Sequence, residues 1–442
     1  MKQEKTVIII GGGPAGAVCA GVLAEKGIDC LLLEKEKHPR HHVGESLQPA
    51  TFALLDYYLG VKEELWSQGY AYKFGAVYIW GETRKPWRIL FDQNLEKRLD
   101  TESLTEKELL SGGYEHALQV DRASFDKILF EAAKRKGART LENTEVKQVL
   151  FTDAGQANGV ELVNGDILEA SVVVDASGQR AMIGKQLGWV ENVEDLRSVA
   201  VYGYFENAAG LPEPFCRHVQ YIVTIPEGWI WFIPISKTHT SIGLVTKVKR
   251  KFTEKEFLDI IQNAEIPLGN GKLVTWDGRK IRYARDWSYA CTHFSGKNFL
   301  LLGDAACFVD PILSGGVDFS VRSGAAAAQA LLSGFKNGQL DSSFAQYERR
   351  LRKEYNAYLR MARYWYGNNR SVDGFFWEAT QLVEQDALST PLRAFVYLTS
   401  GRYATDQHFK IFPRWQEEIM FQAIGVDKKQ TQDALLKYRQ SR

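Results

Sequence analysis

Hydrophobic residues in this sequence occur in three arrangements, and each arrangement predicts a different kind of element. Short continuous apolar runs, such as TVIII at 6–10, CLLL at 30–33 and FLLL at 299–302, predict strands that are buried on both faces. Alternating patterns at 145–153 and 159–170, with Asn164-Gly165 as a two-residue turn signal, predict a hairpin. Apolar residues at helical period in 347–367, after an alanine-rich segment at 325–332, predict a mostly helical C-terminal third.

The first apolar run leads directly into a glycine-rich loop. The sequence GGGPAG places Gly11, Gly13 and Gly16 at the spacing GxGxxG. A helical segment follows and ends at Gly27, and the next strand ends at Glu34, 18 residues after Gly16. In such a unit the glycines allow a tight turn, close approach of a pyrophosphate and helix–strand packing, while the acid binds a ribose hydroxyl. The N-terminus therefore predicts a dinucleotide site with the phosphates at a helix N-terminus.

Composition and charge narrow the classes of function. The 442 residues include 55 basic and 54 acidic ones, and the net charge of +1 favours neither a nucleic-acid partner nor an acidic membrane surface. The apolar run near the N-terminus is too short for a signal peptide or a membrane-spanning helix. Five cysteines without a CxxC spacing predict buried free thiols in a reducing compartment, so we expect a cytoplasmic protein.

Three later stretches identify the dinucleotide. VDRASFD at 120–126 places Arg122 at the start of a helix, while the strands in SVVVDASG and NFLLLGD end at Asp175 and Asp304. In this order, and together with the glycine loop, they resemble the FAD-binding pattern of the flavoprotein monooxygenase superfamily. The resemblance implies bound FAD, with the Asp304 carboxylate on the ribityl chain. The cofactor-binding residues that it implies are Gly11, Gly13, Pro14, Ala15, Gly16, Glu34, Lys35, Arg40, Glu45, Ser46, Arg122, Asp175, Asp304, Pro311, Gly315 and Gly316.

The strand pattern and this resemblance together imply an α/β fold with three regions. A Rossmann-like FAD-binding domain of the GR2, p-hydroxybenzoate hydroxylase-like type is expected to comprise residues 1–195 and 290–330. An inserted β-sheet substrate domain at 196–289 is expected to cover the flavin, and a helical region at 331–442 is expected to follow. Because no internal repeat or long linker separates these regions, we expect one interleaved body.

The inserted region carries a more specific motif. GWIWFIP at 228–234 has the spacing WxWxIP, which is a signature of flavin-dependent halogenases. A second signature of that family, FxxPxxSxG, is present at 308–316, and the segment YKFGAVYIWG at 72–81 places Lys73 where those enzymes carry their catalytic lysine. Over about residues 5–320 the chain therefore resembles a flavin-dependent halogenase, with natural product biosynthesis as its expected setting.

The halogenase resemblance implies a reaction in which two oxidants act in turn. Reduced FAD and oxygen form a C4a-hydroperoxide, halide converts it into hypohalous acid, and Lys73 presents the halogen to an electron-rich ring. The backbone around Ser314, Gly315 and Gly316, at a helix N-terminus, is expected to bind the halide. In an apolar tunnel the pKa of Lys73 is expected to fall. The residues expected to form a rigid barrier between flavin and substrate are Trp229, Trp231, Ile233 and Pro234.

One position departs from the tryptophan-specific halogenases. Those enzymes carry a glutamate before the serine of FxxPxxSxG, whereas this chain has Leu313, and phenol- and pyrrole-type halogenases also lack the glutamate. A phenol, pyrrole or tyrosyl ring, free or tethered to a carrier protein, is therefore expected, because an activated ring loses its proton with less assistance. Since the sequence has no second dinucleotide fingerprint, reduced FAD is expected from a separate flavin reductase, with chloride or bromide as co-substrate.

The FAD motifs alone leave other functions open. A single-component aromatic hydroxylase or epoxidase shares them, as does a polyprenyl-type flavin reductase, and a catalytically silent FAD-dependent scaffold is a further alternative. Taken alone, Trp229 and Trp231 are also typical of a strand core, and Lys73 of a surface lysine.

Two other groups of residues are given a structural interpretation. His38, His41 and His42 have no metal-site spacing, so we expect them in the flavin loop and expect no bound metal. Trp365 and Trp377 are expected to pack against other residues rather than to contact substrate.

Overall fold

Two large sheets organise the part of the chain that the computed structural model describes, which is residues 6–80, 84–248, 250–285, 288–367, 395–396 and 399–401. Within these residues the strands are, in chain order, β1 Val7–Ile10, β2 Cys30–Leu33, β3 Ala71–Lys73, β4 Gly75–Ile79, β5 Trp87–Leu90, β6 Ala117–Gln119, β7 Arg139–Leu141, β8 Val146–Phe151, β9 Ala157–Leu162, β10 Ile167–Glu169, β11 Val172–Asp175, β12 Val190–Asn192, β13 Val199–Glu206, β14 Gln220–Ile225, β15 Gly228–Pro234, β16 His239–Thr246, β17 Lys272–Val274, β18 Arg282–Arg285, β19 Tyr289–Cys291, β20 Ser295–Gly296, β21 Phe299–Leu301 and β22 Cys307–Phe308. The helices are α1 Pro14–Glu25, α2 Pro49–Leu59, α3 Lys62–Trp66, α4 Gln93–Thr101, α5 Glu106–Ser111, α6 Arg122–Arg135, α7 Met182–Gln186, α8 Glu254–Asn263, α9 Gly316–Asn337 and α10 Leu340–Gly367, and short 3-10 helices cover Gly178–Arg180, Glu194–Leu196, Gly303–Ala305 and Pro311–Leu313.

The first sheet has the strand order β20-β21-β11-β1-β2-β7, and its strands are parallel except for β20 at one edge. Its central strand β1 is buried throughout, and helices α1, α6 and α9 pack together beside the sheet. The apolar runs therefore form the buried parallel strands that the sequence predicts. Because parallel strands end on the same side, the loops after β1, β2, β11 and β21 open towards one region.

A smaller antiparallel sheet, in the order β10-β9-β8, confirms the predicted hairpin. The turn between β9 and β10 contains Asn164 and Gly165, and Gly165 has a φ of +92°. The backbone N–H of Leu162 donates to the carbonyl of Asp166 across the turn. Glycine is suited to this position because it adopts positive φ without the steric cost that a Cβ brings.

The second large sheet has the order β17-β13-β16-β15-β14-β4-β5, with β18 paired to β13. Its pairs are antiparallel except for β14 with β4. Strands β4 and β5 come from residues 75–90, so this sheet includes chain from outside the range 196–289. The α/β architecture with two different sheets is confirmed. The predicted domain boundaries at residues 195, 290 and 330 stay a prediction.

The predicted C-terminal helices are confirmed as far as the structure describes the chain. Helix α9 spans 22 residues and α10 spans 28. Trp365 of α10 is fully buried, and Trp377 lies outside the described residues. Within the described ranges, no helix combines the length and apolarity that crossing a membrane requires. Four cysteines are buried free thiols, and the fifth, Cys216, is half-buried.

A buried group of charged residues joins the helices. Arg322 on α9 lies 2.7 Å from the carboxylate of Asp318, one turn earlier, and 3.0 Å from that of Glu354 on α10. The hydroxyl of Thr51 on α2 donates to Asp318 at 3.1 Å. These contacts connect three helices that the sequence separates by up to about 300 residues.

Candidate active site

The glycine loop between β1 and α1 has the close contacts that its spacing predicts. Gly11 has a φ of +109°, and a Cβ there would lie 2.3 Å from the carbonyl oxygen of Ala176. A Cβ on Gly16 would lie 2.0 Å from the carbonyl oxygen of Gly11. Gly13, the N-cap of α1, has more space around it. A Cβ on Gly13 would have Arg40 Nη2 as its nearest neighbour, at 3.7 Å. Open space at Gly13 is what a pyrophosphate at the helix N-terminus requires.

Charged side chains form one end of the same region. The Glu34 carboxylate accepts from the backbone N–H of Gly12 at 2.9 Å and from Arg40 at 3.3 Å. Asp126 binds both Arg40 and Arg122 at 2.9 Å. Burial alone would raise the pKa of Asp126, but the two arginines hold it at about 2. The carboxylate of Asp126 is therefore ionised and orients both guanidinium groups.

A long cavity of about 400 Å³, here called the cofactor cavity, runs from this charged end to the second sheet. Its size and its combination of glycine loop, helix N-terminus, acid and arginines fit FAD. The residues expected from the sequence that line it are Gly11, Gly13, Pro14, Ala15, Glu34, Lys35, Arg40, Glu45, Ser46, Arg122, Trp229, Trp231, Ile233, Asp304, Pro311, Ser314 and Gly316.

Five residues expected in the site lie outside the lining of this cavity: Gly16, Lys73, Asp175, Pro234 and Gly315. Gly16 packs against Gly11, as described above. Asp175 accepts from the backbone N–H groups of Ser177 at 3.0 Å and Ile183 at 2.8 Å, so its carboxylate holds the turn after β11. Gly315 lines a small adjoining cavity, and Pro234 ends β15.

Two carboxyl groups in the cofactor cavity have raised pKa values. Burial raises the pKa of Asp304 to about 7, although Arg122 opposes this effect. Burial also raises the pKa of Glu45, against a 2.8 Å hydrogen bond that the hydroxyl of Tyr204 donates to it. The carboxyl group of Asp304 is therefore partly protonated near neutral pH and can both donate and accept hydrogen bonds.

Trp229 and Trp231 lie side by side on one face of β15. Their ring centroids are 6.2 Å apart, and both side chains are at most 5% exposed. The indole N–H of Trp231 donates to Ser241 on β16 at 3.1 Å, and that of Trp229 donates to Tyr366 on α10 at 2.8 Å. Both rings face the cofactor cavity and are backed by a hydrophobic cluster, so they form part of its wall.

Lys73 lies in a separate small cavity, here called the lysine chamber. This chamber has a volume of about 20 Å³, which holds one or two water-sized molecules. Its lining is Lys73, Ala76, Tyr78, Ile89, Phe91, Gln220, Leu313, Ser314 and Thr399. Lys73 is 3% exposed, and its Nζ donates to the carbonyl oxygen of Leu47 at 3.0 Å. Burial lowers the pKa of Lys73 to about 7, in agreement with the expected fall.

Two residues line both the cofactor cavity and the lysine chamber: Gln220 and Ser314. Ser314 follows the 3-10 helix Pro311–Leu313 and has a φ of +54°. Gly315 is the N-cap of α9, and Gly316 is its first residue. The loop expected to bind halide is therefore located between the two cavities, at the N-terminus of a 22-residue helix.

The three histidines between β2 and α2, in the segment expected to form the flavin loop, have separate partners. His38 Nδ1 lies 3.1 Å from Glu142, His41 Nε2 lies 3.1 Å from Tyr202, and His42 Nδ1 lies 2.7 Å from the carbonyl of Val43. Burial lowers the pKa of His41 to about 4, so its ring is neutral at physiological pH.

Sequence reasoning missed four residues of this site: Asp126, Tyr204, Gln220 and Tyr366. Asp126 follows Arg122 by one helical turn, which is a recognisable ion-pair spacing. Gln220 is a polar residue at the start of the apolar strand QYIVTI, which is a weak signal. Tyr204 and Tyr366 have no local signal, because their partners Glu45 and Trp229 are 159 and 137 residues away.

Comparison with known proteins connects this geometry to a family. A family model described as tryptophan halogenase matches residues 6–107 and 92–437. A 1H-pyrrole-2-carbonyl-(peptidyl-carrier protein) chlorinase of Pseudomonas fluorescens is 32% identical over 370 residues, which are 79% of this chain and 81% of that protein. A tryptophan 2-halogenase of Chondromyces crocatus is 28% identical over 405 residues, which are 87% of this chain and 72% of that protein.

Solved structures agree with these relatives. The myxobacterial chondrochloren halogenase CndH, described as an FAD-dependent halogenase, superimposes with a TM-score of 0.74 at 33% identity, covering 95% of this chain and 97% of CndH. The flavin-dependent halogenase CmlS gives 0.73 at 29% identity, covering 86% of this chain and 68% of CmlS. The brominase Bmp2, with a TM-score of 0.75 at 22% identity and 99% coverage of both chains, supports the fold.

Proposed function

This chain belongs to the tryptophan halogenase family and is an FAD-dependent halogenase, and we propose that it halogenates an electron-rich ring such as a phenol, a pyrrole or a tyrosyl group. The observation that carries the proposal is Lys73, a buried amine in a chamber beside the cofactor cavity. The chamber, at about 20 Å³, has room for a molecule the size of hypohalous acid but not for an aromatic ring, so this arrangement supports capture of the oxidised halogen at the lysine, away from the flavin.

The cofactor cavity has residues suited to each part of FAD. We propose that the pyrophosphate lies at Gly13 and the N-terminus of α1, the ribose at Glu34, and the ribityl chain at Asp304. Reduced FAD and dioxygen supply the oxidising equivalents that convert halide into hypohalous acid. We further propose that a separate flavin reductase delivers the reduced FAD, because the sequence has one dinucleotide fingerprint.

Halide binding is proposed for the loop at Ser314, Gly315 and Gly316. The first N–H groups of a helix lack partners within the helix and carry partial positive charge, which favours an anion. Gly316 and Ser314 line the cofactor cavity at this point. Chloride and bromide both fit this chemistry.

Trp229 and Trp231 are proposed to keep the organic substrate away from the flavin. Their side chains are buried and their indole N–H groups are hydrogen-bonded, so the two rings have little freedom to move. Ile233, on the same face of β15, extends this wall, and Pro234 ends the strand. A ring that cannot reach the cofactor is not hydroxylated, which separates this proposal from the hydroxylase alternative.

Lys73 is proposed to transfer the halogen. At pH 7 a large share of its amine is neutral, because its pKa is about 7. The neutral amine nitrogen attacks the halogen of hypohalous acid, an N–halogen bond forms, and the halogen–oxygen bond breaks, the departing hydroxide taking an amine proton to leave as water. A ring carbon then takes the halogen, the electron pair of the N–halogen bond returns to nitrogen, and the ring gives up a proton as the nitrogen regains one. Leu313 stands where a carboxylate base would assist that loss, so a phenol, pyrrole or tyrosyl ring, free or carrier-tethered as in the pyrrole chlorinase relative, suits this site.

The test compares Lys73→Met with the wild type and with Lys62→Met, which removes an exposed lysine of α3. Each protein is supplied with reduced FAD, oxygen, bromide and a panel of phenols and pyrroles, free and carrier-bound, and brominated product is measured. In parallel, a thioether scavenger without ring substrate measures hypobromous acid. We expect Lys73→Met to lose ring bromination by about a hundredfold or more while scavenger oxidation persists.

Two results would contradict the proposal. Hydroxylated product that forms equally without halide would indicate the hydroxylase alternative. Equal ring bromination by Lys73→Met and Lys62→Met would remove Lys73 from the reaction.

A further inference from the structure

Gln220 occupies the wall between the two cavities. It begins β14, is 3% exposed, and is followed by the apolar residues Tyr221 and Ile222. Its side chain contributes to the lining of the cofactor cavity and of the lysine chamber. Trp229 and Trp231 line the cofactor cavity but not the lysine chamber. These two tryptophans therefore do not lie between Lys73 and the loop proposed to bind halide.

Two serines fix the orientation of the Gln220 amide. Its Oε1 accepts from the hydroxyl of Ser46 at 3.1 Å and from the hydroxyl of Ser314 at 2.9 Å. Ser46 belongs to the flavin loop, and Ser314 belongs to the loop proposed to bind halide. Because both serines donate to the same oxygen, the amide nitrogen is directed away from them.

The N–H groups on Nε2 of Gln220 are available as hydrogen-bond donors. Across the described part of the chain, no acceptor forms a hydrogen bond with this group, and its atoms are not sealed from the cavities. Because this donor faces the cavities and has no acceptor among the described residues, it is placed to bind a small polar molecule that enters them. Its N–H groups suit a halide ion or the oxygen of hypohalous acid, and an uncharged amide does not trap an anion tightly.

We propose that Gln220 is a positioning residue that hydrogen-bonds hypohalous acid as the molecule passes from the cofactor cavity to Lys73. This inference rests on the proposed function, since it assumes that hypohalous acid forms beside Ser314 and reacts at Lys73. Ser46 and Ser314 hold the acceptor end of the amide, and the donor end orients the oxidant with its halogen towards the amine. No covalent bond forms at Gln220.

The test uses two variants of this residue and one control. Gln220→Leu removes the donor without adding charge, and Gln220→Glu keeps the shape but adds negative charge. Gln329→Leu removes a half-buried amide on α9 that bonds Tyr58, away from both cavities. For each holoenzyme, scavenger oxidation without ring substrate gives the total hypobromous acid. The amount of ring product formed with substrate present, divided by that total, gives the fraction of hypobromous acid that is delivered to the ring.

We expect Gln220→Leu to deliver a fraction of the hypobromous acid it forms that is at least about tenfold smaller than in the wild type, which corresponds to one lost hydrogen bond. Gln220→Glu is expected to raise the KM for bromide, because its carboxylate repels the anion, and to lower delivery, because a carboxylate has no N–H to donate to hypobromous acid. In crystals of the FAD-bound enzyme soaked in bromide, anomalous scattering is expected to show bromide within hydrogen-bonding distance of Gln220 Nε2. The Gln220→Leu crystals are expected to lack this peak.

Other outcomes would overturn the inference, and they separate it from the proposed function. Unchanged delivery in Gln220→Leu, with a melting temperature equal to that of Gln329→Leu, would show that Gln220 plays no part. Should Gln220→Leu fail to fold, unchanged bromide KM and delivery in Gln220→Glu would likewise show that Gln220 plays no part. A wild-type enzyme that forms no hypobromous acid would instead overturn the proposed function and, with it, the role of Gln220.

Discussion

At the scale of single residues, burial decides the chemistry of this site. Among the described residues, the Nζ of Lys73 has one hydrogen-bond partner, the neutral carbonyl of Leu47, and lies 5.6 Å from the centre of the Phe91 ring. Neither partner compensates a charge as a carboxylate would. Desolvation therefore lowers the pKa of the amine to about 7, which makes a nucleophile of a group that is a cation at the surface.

Lys73→Met is expected to stabilise the protein at neutral pH. Because burial lowers the pKa of Lys73 from 10.5 to about 7, the unfolded chain binds more protons than the native protein between these values. The free energy of unfolding of the wild type therefore rises with pH across that window, by about 1.4 kcal/mol for each unit of pKa difference. Thermal unfolding at pH 7 and pH 9.5 measures the effect: the advantage of Lys73→Met should shrink at the higher pH.

Lys62→Met provides the control for this comparison, since its side chain is exposed. An advantage of Lys73→Met that did not change with pH would mean that the buried amine titrates normally.

Gly13 and Gly11 are expected to respond differently to the same substitution. A methyl group on Gly13 meets no atom closer than 3.7 Å, so Gly13→Ala should fold normally. It should weaken FAD binding by about tenfold or more, because the methyl group would enter the space proposed for the pyrophosphate. Gly11→Ala places a Cβ 2.3 Å from Ala176 at a φ of +109°, so the FAD-free protein itself should be less stable. Melting of the FAD-free proteins and titration with FAD distinguish the two effects.

At the scale of elements, α10 holds the aromatic wall in place. The hydroxyl of Tyr366 accepts from the indole N–H of Trp229 at 2.8 Å and donates to the carboxylate of Asp310 at 3.1 Å. Asp310 also accepts from the backbone N–H of Ile312, two residues before the loop proposed to bind halide. One side chain of α10 thus connects β15 to that loop, although the three elements are far apart in sequence.

Tyr366→Phe is expected to destabilise the protein and to loosen this wall. The variant leaves a buried indole N–H without an acceptor, at a cost of roughly 1–3 kcal/mol. We expect a lower melting temperature and a smaller yield of halogenated product for each reduced FAD that is oxidised. Tyr72→Phe, at an exposed tyrosine, is the matched control. Identical melting and yield in the two variants would show that the hydroxyl of Tyr366 does not support Trp229.

At the scale of the whole molecule, the site is assembled from both large sheets and the helices behind them. The cofactor cavity receives its charged end from the loops of the parallel sheet and its aromatic wall from β15. The lysine chamber adds residues of β3, β4 and β5. The relative position of these layers depends on the helices α2, α9 and α10, which the charged group around Arg322 joins.

Arg322→Met is expected to lower the free energy of unfolding by about 3–5 kcal/mol at pH 7, because buried Asp318 loses its counterion and Glu354 loses the nearer of two, keeping Arg350 at 3.8 Å. Burial raises the pKa of Asp318 and of Glu354, and Arg322 opposes this effect. Without the arginine both carboxyls bind protons more readily in the native protein, so the loss should become smaller as the pH falls towards 5. Urea unfolding at pH 7 and pH 5 measures this, with Arg349→Met at an exposed site of α10 as control. A loss that is the same at both pH values would contradict a buried carboxylate pair.

The amino-acid sequence alone determined those structural features of this protein that depend on residues close together in the chain. Buried parallel strands follow from short apolar runs, the turn at Gly165 from its dipeptide, and the nucleotide loop from three glycines at fixed spacing. Each of these features depends either on contacts within a few residues or on the position of a strand end. A short stretch of sequence is enough to recognise both. The cofactor class and the lysine followed from the resemblance of short motifs to those of known families.

Only the tertiary structure decided which distant residues meet. Gln220 binds Ser46 across 174 residues and Ser314 across 94, and no pattern near any of them predicts these contacts. The carboxylate of Asp175 accepts hydrogen bonds from backbone N–H groups after β11, although the flavoprotein resemblance implied a place for it in the cofactor site. Strands β4 and β5 join the second sheet because β14 pairs with β4 across about 140 residues. Such contacts depend on how layers pack and which buried polar groups remain to be paired, and these are properties of the folded chain rather than of any segment.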